Sequence, residues 1–135
     1  MTRLPTLHGG GKEYKILVVD DDESVLSIGT AILEELGYGT IGATCGARAL
    51  QILATEESRI DALFSDIMMP HMNGFELAEQ AKVLRPDLKI ILTSGYIGPE
   101  IAAAMSSAIY PTVPKPWRLK QLTKAIAEVL GVNNS

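Results

Sequence analysis

Residues 63–74 read Leu-Phe-Ser-Asp-Ile-Met-Met-Pro-His-Met-Asn-Gly, and this stretch indicates how the chain folds. The apolar run that leads into Asp66 predicts a short buried strand over 61–66. Pro70 cannot continue a central strand, so the strand must end near Asp66. Open α/β sheets bind their ligands at the carboxyl ends of their strands, which makes Asp66 a candidate functional residue.

The length and composition of the chain limit its class. The 135 residues suit one domain with its own core, predicted over 14–131 between a flexible tail or linker at 1–13 and a short tail at 132–135. No apolar stretch could span a bilayer or serve as a signal peptide, which predicts a cytoplasmic protein without a membrane partner. A net charge of −4 gives no electrostatic reason to expect nucleic-acid binding.

Outward from residues 63–74, strand and helix patterns alternate five times. Apolar runs predict strands at 14–19, 40–43, 61–66, 88–92 and 109–113. Apolar residues at helical spacing predict helices at 25–36, 47–57, 75–84, 99–107 and 118–130, with Gly37 and Gly131 closing the first and last. Apolar strands that need cover on both faces imply the α/β class, with a five-stranded parallel sheet between helices.

Four acids, residues 20–23, follow the first strand directly. One interpretation is a solvated turn in which Asp22 caps the next helix. The other is a divalent-cation site, because acids this close repel one another unless a positive charge lies among them.

The carboxyl ends of parallel strands share one edge of the sheet, so residues far apart in the sequence can meet there. The candidates at this edge are Asp20, Asp21, Asp66, Thr93 and Lys115. Three carboxylates favour Mg²⁺, which binds one or two carboxylates and leaves positions for phosphate oxygens. A cation, an ammonium and a hydroxyl are the groups that a transferring phosphoryl group needs. We therefore expect phosphoryl transfer, with Asp66 as the nucleophile that forms an acyl phosphate.

Four segments, 16–23, 66–74, 92–95 and 115–117, together resemble the receiver (response-regulator) domain of two-component phosphorelay systems. The first resembles its acidic strand end, the second its phosphoacceptor loop, the third its hydroxyl-bearing strand end and the fourth its Lys-Pro-aromatic signature. The resemblance covers about residues 14–131. It implies a flavodoxin-like (βα)5 three-layer sandwich with strand order 2-1-3-4-5.

The resemblance also implies a role for each site residue. Asp66 would accept the phosphoryl group from the phosphohistidine of a sensor histidine kinase or phosphotransfer protein, and the domain would then change its affinity for a downstream protein. Thr93 and Lys115 would bind the phosphoryl oxygens, and Thr93 would move inward on phosphorylation. Mg²⁺ would be held directly by Asp21 and Asp66, through a water by Asp20, and by the backbone carbonyl of Met68.

Two departures from the family pattern concern how the domain signals. The position that often holds a switch aromatic is Thr112, with Tyr110 expected on the same side by strand alternation. The segment 99–114 lacks the usual Gly-Ala turn. Met68 borders the phosphate in the family and cannot orient a water, which predicts a long-lived phosphoryl group.

Other residues have simpler interpretations. Cys45, the only cysteine, excludes an internal disulfide and is expected to be buried or half-buried. His71 is expected to point to solvent. Trp117 is expected to pack under the Lys-Pro turn, and the alternative is that it contacts a partner protein. Ser94 is the alternative to Thr93 as the site hydroxyl.

The functional alternatives are three. A small Mg²⁺-dependent phosphatase would use Asp66 as nucleophile but needs a second acid two residues later, where the chain has Met68. A receiver module excised from a hybrid histidine kinase is the second, because residues 85–89 (Arg-Pro-Asp-Leu-Lys) and 93–96 (Thr-Ser-Gly-Tyr) resemble such modules. A degenerate receiver would act as a binding module alone, which the retained site residues argue against.

Overall fold

The computed structural model describes residues 14–55, 59–95, 98–107 and 110–132. Within these ranges the strands β1 to β5 span Lys15–Val19, Gly39–Ala43, Ala62–Asp66, Lys89–Ser94 and Thr112–Pro114. The helices α1 to α5 span Glu23–Glu35, Gly46–Thr55, Gly74–Leu84, Pro99–Ser107 and Leu119–Leu130. Strand and helix alternate along the chain, which confirms the predicted α/β class. The tails predicted at 1–13 and 132–135 fall outside the described residues, apart from Val132.

The strands form one parallel sheet in the order β2-β1-β3-β4-β5, which confirms the order implied by the resemblance. Because every strand runs the same way, their carboxyl ends lie on one edge. In the register of β3 with β4, Asp66 lies beside Thr93. The topology therefore brings the predicted site residues of different strands to a common edge.

Alternating strand residues bury two separate cores. The first core cluster joins the sheet to α2, α3 and α4, and it includes Leu17, Leu63, Leu92, Ile52, Leu77 and Ile101. The second core cluster joins the sheet to α1 and α5, and it includes Val18, Phe64, Ile91, Leu33, Leu122 and Ile126. Each fully buried side chain of this size contributes roughly 1.5–3 kcal/mol to folding. The two clusters confirm helices on both faces of the sheet.

The ends of the helices follow the sequence signals. The side chain of Asp22 accepts hydrogen bonds from the backbone N–H groups of Ser24 and Val25, which confirms that it caps α1. Gly37 follows α1 with φ of 102° and Gly131 follows α5 with φ of 77°, a left-handed conformation that glycine adopts without strain. No helix within the described ranges is long and apolar enough to cross a membrane.

The predicted start of the fifth strand was wrong. β5 begins at Thr112, whereas 109 was predicted, and position 109 lies outside the described residues. Pro111 has no N–H to donate, although its carbonyl accepts a hydrogen bond from the N–H of Leu92 at 2.9 Å. Tyr110 therefore precedes the strand, so strand alternation does not apply to it, and it packs against the first core cluster.

The predicted burial of Cys45 was also wrong, since its side chain is exposed. Cys45 lies between β2 and α2, and its carbonyl accepts the hydrogen bond from the N–H of Ala49 that begins the helix. β2 is an edge strand of the sheet, so fewer elements cover the loop that follows it than cover the loops of the central strands.

Candidate functional site

Strand alternation directs the site residues to one face of the sheet. Asp66 comes two residues after Phe64, and Thr93 comes two residues after Ile91. Phe64 and Ile91 both belong to the second core cluster, on the side of α1 and α5. Residues two apart in a strand share a face. The side chains of Asp66 and Thr93 therefore point to the side of α1 and α5, next to the apolar residues of the second core cluster.

A short ion pair joins the ends of the first and last strands. The Nζ of Lys115 lies 2.8 Å from Oδ2 of Asp20 and 3.4 Å from Oδ1 of Asp66. The Asp20 and Asp66 side chains are 4% and 7% exposed, and that of Lys115 is 20% exposed. Buried charges need partners of this kind, because removing them from water is costly. Lys115 thus neutralises part of the acidic site.

Three carboxylates form a cluster at the same edge. One oxygen each from Asp20, Asp21 and Asp66 lie within 4.8 Å of one another. Oδ1 of Asp20 also accepts a hydrogen bond from the N–H of Asp22 at 2.9 Å, which fixes its orientation, while Asp21 is exposed to solvent. An all-oxygen cluster open on one side fits a hard divalent cation such as Mg²⁺, which retains several waters.

The electrostatic environment changes two pKa values in the site. Burial raises the pKa of the Asp66 carboxyl above its usual range; the charge of Lys115 opposes this shift, and the charges of Asp20 and Asp21 add to it. Burial alone would lower the pKa of Lys115, but its hydrogen bond to Asp20 and the charges of Asp66 and Asp20 outweigh that effect and raise it. Lys115 is therefore a firmly protonated cation beside an acid whose negative charge is incompletely balanced.

The backbone around Asp66 is held by its neighbours. The N–H of Ile67 donates to the carbonyl of Thr93 at 2.8 Å, and the N–H of Gly74 donates to the carbonyl of Ile67 at 2.9 Å. A Cβ on residue 74 would lie 2.5 Å from the carbonyl oxygen of Asp66, closer than van der Waals contact allows. Glycine at 74 is thus required for α3 to begin directly against Asp66. The Asn73 capping box, shared with Glu76, fixes the same helix start.

Thr93 has a partner that the sequence did not predict. Its Oγ1 accepts a hydrogen bond from the Nε1–H of Trp117 at 2.8 Å. Ser94, the alternative hydroxyl, is buried one residue further along β4, so its side chain points to the opposite face of the sheet. Trp117 is half-buried after the Lys-Pro turn, as predicted, but the pairing with Thr93 depends on chain segments that come together only in the fold.

The loop after Asp66, residues 67–73, carries three methionines and a histidine. Met68 is 49% exposed, while Met69 and Met72 pack against the first core cluster. His71 is exposed, which confirms the prediction, and its φ of 71° places it in the left-handed region. The structure therefore brings together Asp20, Asp21, Asp66 and Lys115, with Thr93 on the adjoining strand and Met68 at the solvent side of the loop.

Comparison with known proteins gives one consistent family. Residues 16–127 match the family model of the response regulator receiver domain. The chain is 34% identical over 116 residues to the sensor kinase CckA of Brucella abortus, covering 85% of this chain but 12% of that kinase. It is 32% identical to the response regulator receiver protein CpdR of the same organism, covering 86% of this chain and 96% of CpdR.

A solved structure gives the same result. The CheY-like response regulator receiver domain protein from Methanospirillum hungatei superposes with a TM-score of 0.78 at 31% identity, covering 89% of this chain and 95% of that one. The match therefore extends over most of both chains.

Proposed function

The chain belongs to the family of response regulator receiver domains, and we propose that its phosphoacceptor is Asp66. The observation that carries this proposal is the position of Asp66. Its nearly buried carboxylate ends a central strand, lies 3.4 Å from the Lys115 ammonium, and shares a cluster with Asp20 and Asp21. The donor is the phosphohistidine of a sensor histidine kinase or phosphotransfer protein.

The transfer is a displacement at phosphorus. A carboxylate oxygen of Asp66 attacks the phosphorus atom, the P–N bond to the donor imidazole breaks, and a P–O bond forms. The imidazole leaves as the neutral ring after taking a proton from solvent. The attacking form of Asp66 is the carboxylate, and Lys115, whose pKa its hydrogen bond to Asp20 and the charges of Asp66 and Asp20 raise, stays protonated throughout. Asp66 is thus the nucleophile and the site of the acyl phosphate.

The groups around Asp66 stabilise the negative charge on the phosphoryl oxygens. Mg²⁺ would be held by Asp20, Asp21 and Asp66 with the Met68 carbonyl, and it would supply positive charge to the phosphoryl oxygens. Lys115 exchanges its weaker contact with Asp66 for a phosphoryl oxygen while it keeps Asp20. The Thr93 hydroxyl donates to another phosphoryl oxygen. These interactions stabilise the charge that is spread over the group during transfer.

Met68 determines how long the phosphoryl group lasts. Its side chain is 49% exposed beside the acceptor and has no group that could orient an attacking water. The acyl phosphate is therefore long-lived in the absence of a phosphatase. Loss of the phosphoryl group within seconds would contradict this role.

The output of the switch is a change in affinity for a downstream protein, and not catalytic turnover. A phosphatase that turns over requires a general acid two residues after the nucleophile, and that position is Met68. CckA is a kinase of which this chain matches a small part, whereas CpdR matches over nearly its whole length. The same phosphoacceptor chemistry serves a stand-alone receiver and a receiver within a larger kinase.

The test is incubation of the whole chain with acetyl phosphate and Mg²⁺, read by intact mass. We expect the mass of one phosphoryl group to be added, and chelation of Mg²⁺ or the substitution Asp66→Ala to prevent it. Asp87→Ala is the matched control, because this exposed acid lies at the opposite edge of the sheet, before β4. Addition of the phosphoryl group to Asp66→Ala would refute the assignment.

A further inference from the structure

The hydroxyl of Thr93 is already engaged. Thr93 is 2% exposed, and its Oγ1 lies 2.8 Å from the indole Nε1 of Trp117. An indole N–H can only donate, so the threonine oxygen is the acceptor of this bond. The hydroxyl is thereby directed toward the loop after β5, while Asp66 lies beside Thr93 on the neighbouring strand.

The indole ring is held from two further sides. Its centroid lies 5.4 Å from that of Phe64 in β3, with the ring planes tilted by 47°. On α1, the ring lies against Gly29, where a Cβ would be 3.0 Å from Cη2 and 3.2 Å from Cζ3. Contacts from β3, β4 and α1 therefore hold the ring in place where its N–H meets the Thr93 hydroxyl.

We propose that Trp117 is a positioning residue for Thr93: its indole N–H holds the hydroxyl in the unphosphorylated domain and releases it when Asp66 is phosphorylated. This inference rests on the proposed function, in which Thr93 contacts the phosphoryl group. A phosphoryl group stands on Asp66, so the hydroxyl must turn toward β3 to reach it. That turn draws Oγ1 away from Nε1.

The relative strengths of the two hydrogen bonds support release. The indole bond joins two neutral groups, whereas a bond to a phosphoryl oxygen is charge-assisted and roughly twice as strong. The hydroxyl accepts from the indole with a lone pair and donates to the phosphoryl oxygen with its proton, so the two bonds exclude one another only because the side chain must turn between them. The stronger bond, to the phosphoryl oxygen, then sets its orientation. The bond between Trp117 and Thr93 is present only in the unphosphorylated domain. By linkage, it therefore lowers the affinity of the domain for a phosphoryl group or its mimic.

The affinity of the domain for a phosphoryl mimic measures this exchange. Beryllofluoride with Mg²⁺ mimics the phosphoryl group, and its affinity can be measured by fluorine NMR in every variant. Trp117→Phe retains an aromatic ring against Phe64 and Gly29 but removes the N–H. We expect this substitution to tighten apparent beryllofluoride binding about two- to tenfold, the equivalent of one net hydrogen bond. Unchanged or weaker binding would overturn the proposal.

A double-substitution cycle separates positioning from packing. Thr93→Val removes the hydroxyl and keeps the shape of the side chain. In the Thr93→Val background, Trp117→Phe should leave beryllofluoride affinity unchanged, because there is no hydroxyl left to hold. If Trp117→Phe alters affinity equally in both backgrounds, Trp117 acts through packing and the inference is wrong. Tyr38→Phe, which removes a buried hydroxyl elsewhere in the second core cluster, is the control and should leave the affinity unchanged.

Fluorescence of Trp117 tests the same exchange without altering the residue. Beryllofluoride should change the indole emission of the native chain, and this change should be lost in Thr93→Val although some beryllofluoride still binds. An identical emission change in Thr93→Val would overturn the inference. If fluorine NMR shows no Asp66-dependent binding even in the native chain, the proposed function itself fails, which separates the two failures.

Discussion

Replacement of Lys115 by methionine tests the electrostatic balance of the site. At an effective dielectric constant of about 20, the 2.8 Å contact between Lys115 and Asp20 has a Coulomb energy of about 6 kcal/mol, partly offset by desolvation. Removing one partner of a fully buried pair costs about 3–5 kcal/mol. Because the Lys115 side chain keeps 20% of its exposure, we expect Lys115→Met to lower the free energy of unfolding by about 2–4 kcal/mol.

The assay is urea unfolding at neutral pH with a chelator present. The folded-state pKa of Lys115 is raised, so its contribution to stability is fully present below its unfolded pKa and is lost only as the pH rises through the folded value. Neutral pH therefore measures the whole effect. Added Mg²⁺ should restore more stability to Lys115→Met than to the native chain, because the cation neutralises the same carboxylates.

The matched control is Lys124→Met, which removes the same charge from the surface. Lys124 and Glu128 lie 4.0 Å apart and are 72% and 67% exposed. A pair of this kind contributes at most about 1 kcal/mol. Equal destabilisation by the two substitutions would refute the argument that buried carboxylates depend on Lys115.

Four further predictions concern the acceptor loop. Asp66→Asn should raise the thermal unfolding temperature at neutral pH without Mg²⁺, because the pKa of Asp66 is raised in the folded state; the gain should shrink as the pH falls through that folded value. Gly74→Ala should lower the free energy of unfolding by about 3 kcal/mol in urea, since its Cβ would meet the Asp66 carbonyl. Asn73→Ala should lower it by about 1 kcal/mol through loss of the capping box. Met68→Asn should shorten the lifetime of the acyl phosphate several-fold, as measured by intact mass over time, because an amide can orient water.

Each of these predictions has a control in the chain. Asp87→Asn, an exposed acid, should not reproduce the stabilisation, and a pH-independent gain in Asp66→Asn would argue against the raised pKa. Gly39→Ala meets its nearest atom at 3.6 Å and should be far milder than Gly74→Ala. Gln80→Ala should barely affect α3, so an equal loss there would mean that the cap contributes little. Val83→Asn should leave the acyl phosphate lifetime unchanged.

The fold and the acidic cluster followed from local patterns. The apolar runs that end at Val19 and Asp66 predicted strands, and parallel strands must end at one edge. Asp22 could be predicted as a cap because capping depends on residues three positions apart. These features depend on short segments or on general topology, so a sequence is sufficient to find them.

The features that the sequence did not predict correctly depend on how distant segments pack. The hydrogen bond from Trp117 to Thr93 joins residues 24 positions apart and requires the space left by Gly29. β5 begins after Pro111, because this residue has no N–H to donate to a neighbouring strand. The pattern of apolar residues does not contain this information. The exposure of Cys45 depends on β2 being an edge strand, which requires the strand order.

The ion pair between Lys115 and Asp20 has a consequence for how the chain folds during synthesis. Its partners are 95 positions apart, and Lys115 follows the last strand. A nascent chain that has emerged through β4 contains Asp20, Asp21 and Asp66 without the ammonium that neutralises them. The late arrival of β5 therefore adds a counter-ion as well as a strand, and a divalent cation bound earlier would stabilise the partly synthesised sheet.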